Sequence, residues 1–246
     1  MAIKKFQLVL QSTRMITPRV KELTFTRADG EVIDYIPGQF LTMHMPHEND
    51  MLRRSYSISS IPEEAEATAI SIAVTHVDGG RATEKLFSME HGDSVDAVGP
   101  FGRFILRDDP PCRYLLIGTG TGVTPYRAML PELERRIDLE DFKVELFLGV
   151  RNPEELLYGG DFRHFAEKHD GFNFHAVYSR VMPEQPSAFD HKGYVQDQLD
   201  TVNPDPERDI VYLCGNPEMI DLAATRLKEA GFPVQNIRRE KYISSN

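Results

Sequence analysis

The chain has 246 residues, 41% hydrophobic and 27% charged, with a formal net charge of −10 at pH 7. That length accommodates one large domain or two smaller ones, and the composition is that of an ordinary globular protein. The acidic balance argues against a nucleic-acid binder or a polybasic membrane-surface anchor, and two cysteines, Cys112 and Cys214, exclude a disulfide framework and a four-thiolate iron–sulfur cluster within the chain.

In chain order, alternating or β-branched runs predict strands at Phe6–Ile16, Val20–Thr26, Phe40–Met45, Tyr56–Ser60 and Ala69–His76. The turns ADGE, PGQ, PHEND, VDGG and HGD separate them, with one helix candidate at Ala82–Met89. Many short strands with turn signals indicate a small antiparallel barrel. RDDPPC, residues 107–112, reads as a linker. Beyond it strands (Tyr114–Ile117, Lys143–Val150, Phe172–Tyr178, Asp209–Cys214) alternate with helices (Thr124–Ile137, Asp161–His169, Val195–Val202, Pro217–Ala230). That order implies a parallel α/β sheet, to which Val234–Tyr242 adds a last strand. The expected division is therefore a barrel domain over 1–108 and an α/β domain over 109–246.

Neither the opening MAIKKFQLVLQ nor any later run is apolar for long enough to be a signal peptide or a membrane span of roughly 18 residues. With so few cysteines, a cytoplasmic location is expected.

The clearest chemical signal is LLIGTGTGVTPYRAML, residues 115–130. A short apolar strand runs into Gly118-Thr119-Gly120-Thr121-Gly122, and a helix follows with Thr124 placed as N-cap and Pro125 as its first residue. Glycines admit close approach of backbone N–H groups to a pyrophosphate, and a helix amino end favours negative charge. The spacing departs from G-x-G-x-x-G, and a glycine-rich connection with no ligand has the same local appearance. A second turn, Gly80-Arg81-Ala82-Thr83, opens the barrel's helix and offers the same physics more weakly.

MLRRSYSISS, residues 51–60, places a guanidinium, an aromatic ring and hydroxyls on one strand. Arg54 suits a phosphate, Tyr56 a flat heterocycle and Ser57 the edge of one. Arg54 and Tyr56 share one face of a strand, and Ser55 and Ser57 the other. A barrel strand with solvated arginines fits the local residues equally well.

Taken in order, these motifs resemble those of the ferredoxin–NADP⁺ reductase family, over essentially the whole chain. Arg54-Ser55-Tyr56-Ser57 is similar to the family's R-x-Y-S, and Pro37-Gly38-Gln39-Phe40 to its P-G-Q-F. Gly80-Arg81-Ala82-Thr83 is similar to G-x-x-S/T, and Gly99-Pro100-Phe101-Gly102 to G-P-x-G. Gly118 to Pro125 is similar to the pyridine-nucleotide turn, and Cys214-Gly215-Asn216-Pro217-Glu218-Met219 to C-G-x-x-x-M. The resemblance implies an FAD-binding antiparallel barrel followed by an NADP-binding α/β domain. It assigns Arg54 to the flavin pyrophosphate, Tyr56 to the isoalloxazine face and Ser57 to the neighbourhood of N5. Main-chain groups around Ile58 and of Arg81, Ala82 and Thr83 complete the FAD site.

The same resemblance places Cys214, Gly215 and Met219 beside the nicotinamide, with Cys214 not a nucleophile. Glu240-Lys241-Tyr242 resembles the family's E-x-Y end, whose tyrosine covers the flavin. Here Ile243 to Asn246 follow, a departure that leaves an edge-strand role for Tyr242 open. Ser57 and Glu240 are the candidates for hydrogen bonding and proton delivery at N5. Ser179-Arg180, Lys192 with Tyr194, and Arg151 are expected on the adenosine 2′-phosphate side, which favours NADPH over NADH. His44, His76 and His175 show no metal spacing, and no metal is expected. The implied activity is hydride exchange between NADP(H) and FAD, with single electrons passed to ferredoxin or flavodoxin, by a monomer. The alternatives are an NADH-dependent reductase component of an oxygenase and a nucleotide-binding or electron-transfer subunit without turnover.

Overall fold

The computed structural model describes residues 5–48, 50–61 and 68–242. The chain forms two compact units: residues up to Leu106 together with Thr124–Pro131, and Arg107–Val123 together with the chain from Glu132 onward.

The first unit contains β1 (Lys5–Thr17), β2 (Val20–Arg27), β3 (Phe40–His47), β4 (Asp50–Ser57), β5 (Ala69–Thr75), α1 (Arg81–Ser88) and β6 (Ser94–Phe101). They form one antiparallel sheet in the order β4-β3-β6-β1-β2-β5. Its two outer strands meet just beyond β4, where Ile58 bridges to Ile72 and the Ser59 amide donates to the Ser71 carbonyl at 2.8 Å. This closes the sheet into the barrel that the sequence indicates, and leaves fewer open edges. Alternation supplies the core: Leu8, Leu10, Leu23, Phe25, Leu41, Met43 and Ile72 are buried inside it. Ala82 and Leu86 of α1 complete it from one end.

The strand expected at Tyr56–Ser60 instead occupies Asp50–Ser57, and β6 is a further strand beyond those expected. Pairing along the whole of β3, from His47↔Asp50 to Phe40↔Ser57, makes a strand of the polar DMLRRS, whose own residues carry little strand signal.

The second unit holds β7 (Arg113–Thr119), β8 (Lys143–Val150), β9 (Phe172–Tyr178), β10 (Asp190–Lys192), β11 (Asp209–Gly215) and β12 (Ile237–Lys241). All pairings are parallel, in the order β10-β9-β8-β7-β11-β12. The near-continuous apolar runs of β7 and β11 are buried, as strands covered on both faces require. The order reverses between β7 and β11, a topological switch point, and ligands of such sheets bind at the carboxyl ends of the strands there.

The helix expected at Thr124–Ile137 is divided. A 3₁₀ turn over Gly120–Val123 leads into α2 (Thr124–Ala128), and α3 (Leu130–Glu140) restarts after Met129. Pro131 has no N–H to donate back one turn, which ends α2. Thr124 is thus inside the helical run rather than its cap. Val195–Val202 forms two 3₁₀ turns, Val195–Asp197 and Leu199–Val202, not an α-helix. They are framed by Gly193 at φ +122° and Asn203 at φ +46°, left-handed positions that stop helix propagation. The remaining helices are α4 (Gly159–Lys168) and α5 (Pro217–Glu229). No helix among the described residues is long and apolar enough to cross a membrane.

Candidate functional site

In the first unit, cross-strand register orients the flavin-motif residues. Tyr56 lies opposite Leu41 and Arg54 opposite Met43, so both share one face of β4. Ser55 is on the other face, where its hydroxyl meets that of Thr42 at 2.9 Å. Tyr56 packs half-buried against the core, and burial pushes its phenol up to about 12, against a smaller opposing effect of Arg54. The ring is therefore neutral at working pH. The Arg54 guanidinium donates to the Arg53 carbonyl at 2.8 Å. Ser57 is buried at the strand end, and Ile58 donates its amide to Gln39 of the Pro-Gly-Gln-Phe turn at 3.0 Å.

α1 begins at Arg81 with Gly80 as N-cap and no side-chain cap. Its first-turn amides therefore present the positive end of the helix without a capping acceptor. The Thr83 hydroxyl turns back to the Gly80 carbonyl at 2.9 Å. A Cβ on Gly80 would lie 2.8 Å from that hydroxyl and 2.9 Å from the Val77 carbonyl oxygen. This glycine therefore permits a turn no larger residue fits. A neutral ring, a cation and an uncapped helix start in one unit suit a dinucleotide with a flat heterocycle.

In the second unit, the glycine turn and β11 form one tightly fitted corner. Gly118 pairs with Cys214. A Cβ on Gly122 would lie 2.4 Å from the Cys214 carbonyl oxygen, and one on Gly215 2.7 Å from the Thr119 carbonyl oxygen. Gly120, at φ +53°, faces open space. The Thr119 hydroxyl accepts from the Asn216 amide at 2.9 Å, and Asn216 caps α5 by accepting from Glu218 and Met219. The corner thus has the features that admit a phosphate chain: backbone exposed by glycine at the end of a central strand, followed by a helical run.

Cys214 is fully buried and lies level with Glu240 in the β11–β12 pairing. Burial pushes its thiol well above the ordinary value, Glu240 adds to this, and a side-chain hydrogen bond with Tyr242 opposes it. The thiol stays protonated, unsuited to nucleophilic work. The Tyr242 amide donates to Gly215 at 2.9 Å. The structure therefore brings Cys214, Gly215, Glu240 and Tyr242 together, with Met219 buried in the first turn of α5. Ile243 to Asn246 lie outside the described residues.

The residues expected on the adenosine side line up at the carboxyl ends of three adjacent strands. Val150, Tyr178 and Lys192 are abreast in β8, β9 and β10. Arg151 follows β8, and the Arg180 amide donates to its carbonyl at 3.0 Å. Ser179 accompanies them, donating its hydroxyl to Val150 at 3.3 Å. Tyr194 is 63% exposed, which leaves its ring open for stacking. Arg151 is held by Glu155 at 2.5 Å.

Sequence reasoning missed Asn216 and Gln39, which order the two corners through main-chain contacts. Their signal lay inside motifs already noted, between Gly215 and Pro217 and between Gly38 and Phe40. His175 is built into a local network, contacting Glu145 at 2.7 Å and His191 at 3.0 Å. Among the described residues one carboxylate–imidazole group, Glu134, Asp138 and His169, falls within 4.8 Å. There each ring nitrogen of His169 already meets a carboxylate.

Comparison with known proteins identifies two family domains in the chain. Residues 7–105 match the oxidoreductase FAD-binding domain family, and residues 116–225 the oxidoreductase NAD-binding domain family. Ferredoxin–NADP reductase B of Sorangium cellulosum is 31% identical over 96% of this chain and 97% of that protein. The toluate 1,2-dioxygenase electron transfer component of Pseudomonas putida is 27% identical over 98% of this chain and 68% of that protein. Among solved structures, the Amycolatopsis cytochrome P450 reductase GcoB superposes with a TM-score of 0.84 at 27% identity, covering 97% of this chain and 70% of that one.

Proposed function

Because the chain belongs to the ferredoxin–NADP⁺ reductase family of FAD- and NAD(P)-binding oxidoreductases, we propose that it is an NADPH-dependent reductase serving ferredoxin or flavodoxin. FAD, when bound, supplies the chemistry: it accepts a hydride, two electrons and one proton, from C4 of the dihydronicotinamide and releases electrons singly. The protein binds, orients and shields.

In this reading Arg54 and the α1 amides hold the flavin pyrophosphate, Tyr56 supports the ring face and Ser57 donates at its edge. The Gly118–Gly122 turn holds the nicotinamide dinucleotide's pyrophosphate. Cys214 and Met219 pack beside the nicotinamide, Glu240 holds a proton near the reaction centre, and Tyr242 gates the approach.

The observation that supports NADPH is the row of Arg151, Arg180 and Lys192 at adjacent strand ends, with Tyr194 exposed beside them. Glu155 occupies Arg151, so the reading places the 2′-phosphate on Arg180 and Lys192. The two cysteines of this sequence cannot make a four-thiolate cluster. In this reading single electrons pass to a redox centre outside these residues, in a reducing, cytoplasmic setting.

The likeness to the toluate dioxygenase component favours a second reading, an NADH-dependent reductase for an oxygenase. Carrier reduction separates the two. With excess NADPH, catalytic reduction of cytochrome c that depends on added ferredoxin or flavodoxin supports the first. The same dependence driven by NADH alone supports the second.

A further inference from the structure

We propose that Arg127 is a positioning residue for the flavin: it fixes the end of the strand bearing Arg54, Tyr56 and Ser57 by holding the Ser59 carbonyl. The proposal rests on the flavin reading of that strand.

The Arg127 guanidinium donates to the Ser59 carbonyl at 2.8 Å. Ser59 is fully buried, and its amide is committed to the Ser71 carbonyl at 2.8 Å. Here the chain stops pairing with β3 and begins to pair with β5. Ser57 is still opposite Phe40, whereas Ile58 already bridges to Ile72. A carbonyl at such a crossing lies outside both ladders, and a buried acceptor without a donor is costly. Arg127 supplies the donor, as a charge-assisted bond. The Ser59 hydroxyl has no partner among the described residues, so there the side chain does not replace the guanidinium in locking this residue.

The donor is delivered from a fixed platform. α2, which carries it, groups with the barrel unit although it directly follows the glycine turn in sequence. Tyr126 is fully buried with its ring 5.9 Å from that of Phe104. Gly38 lies against the same region: a Cβ there would fall 1.9 Å from the Phe104 carbonyl oxygen and 2.7 Å from the Met129 side chain. The Gln39 carbonyl beside it receives the Ile58 amide. Thus the Pro-Gly-Gln-Phe turn, β5 and Arg127 grip residues 58 and 59 from three directions. Ser57 and Tyr56 immediately precede that grip. Loss of the Arg127 bond frees the Ser59 peptide and, through it, the placement of the Ser57 hydroxyl and the Tyr56 ring.

The test compares wild type, Arg127→Met and Arg127→Lys as full-length proteins. FAD affinity is measured by titrating each apoprotein, the bound flavin by its visible spectrum, and residues 57–60 by amide hydrogen exchange. The rate of flavin reduction at saturating NADPH is compared with the NADPH dissociation constant. Arg127→Met is expected to weaken FAD binding roughly tenfold to a hundredfold, the loss of one bond to a charged donor. It also shifts the flavin bands, speeds exchange at 57–60 and slows reduction, with NADPH affinity within about twofold. Arg127→Lys restores part of each effect, because an ammonium can reach the carbonyl with a single donor. Unchanged FAD affinity and exchange in Arg127→Met overturn the proposal. So does an equal loss in both variants that tracks a fall in apoprotein melting temperature. If wild-type FAD is not reduced by NADPH, the proposed function fails, while the affinity and exchange measurements still decide the role of Arg127.

Discussion

Gly122 lies directly against the backbone of Cys214: a Cβ there would stand 2.4 Å from the Cys214 carbonyl oxygen and 2.7 Å from its carbonyl carbon. Both neighbouring atoms are main chain, so neither can rotate away. Gly122→Ala must push the glycine turn off the end of β11, at the switch point of the sheet. The expected cost is about 1–3 kcal/mol of stability, with NADPH-driven flavin bleaching impaired. Calorimetry and anaerobic spectra check both parts.

Arg180→Ala removes the cation next to Arg151 at the carboxyl end of β9. If Arg180 meets the 2′-phosphate, KM for NADPH rises about tenfold or more, the loss of a charge-assisted hydrogen bond, while KM for NADH moves by less than about twofold. Steady-state kinetics with both nucleotides measure this. Equal effects would remove the 2′-phosphate assignment.

The tail assignment has its own test. Tyr242→Ser removes the side chain that hydrogen-bonds Cys214 and keeps the backbone bond to Gly215. If the ring gates the flavin, NADP⁺ binds the variant more tightly than wild type in difference titrations. Unchanged affinity would make Tyr242 an edge residue of the sheet.

Cys214 carries a pH prediction with a definite sign. Burial raises its folded pKa, so the unfolded chain loses this proton first. Stability contributed by the neutral thiol is complete below the unfolded thiol's pKa, about 8.5, and falls as pH rises above it. Cys214→Ala should flatten the alkaline limb of stability measured by urea unfolding between about pH 8 and 10. In the native wild type, Cys214 should resist alkylation across the same range.

A second buried group acts at low pH. Arg238 clamps both oxygens of Asp109, with Tyr114 donating to the same carboxylate at 2.9 Å. Burial alone would raise the Asp109 pKa, but the bonds from Arg238 and Tyr114 outweigh it and lower it. Its stability is therefore present above the unfolded value of about 3.9 and lost as pH falls through the folded one. Arg238→Met should cost about 3–5 kcal/mol at pH 7, because it strands a largely buried charge. The gap from wild type should narrow on going to pH 3 in denaturant titrations.

The barrel and the parallel sheet were legible because burial enforces period in one and continuous apolar runs in the other. Leu8, Leu10, Leu23 and Phe25 alternate, whereas Tyr114 to Ile117 are buried without a gap. What escaped sequence reasoning was tertiary in one case and local in the other. The polar strand Asp50–Ser57 exists because β3 pairs with it, and the helix after the glycine turn breaks where Pro131 removes a donor. Of the candidate site, the glycines and Cys214 announced themselves by type and order. The grip on Ser59 could not, since Arg127 lies 68 residues away in sequence and a main-chain carbonyl leaves no mark on composition.

The most direct measurement is anaerobic stopped-flow spectroscopy of the purified yellow protein mixed with NADPH or NADH, followed by ferredoxin or flavodoxin. NADPH is expected to bleach the flavin faster and at lower concentration than NADH, and the added carrier to restore the oxidised spectrum in one-electron steps. A protein that takes up no FAD, or whose bound FAD neither nucleotide reduces, would contradict the proposed function.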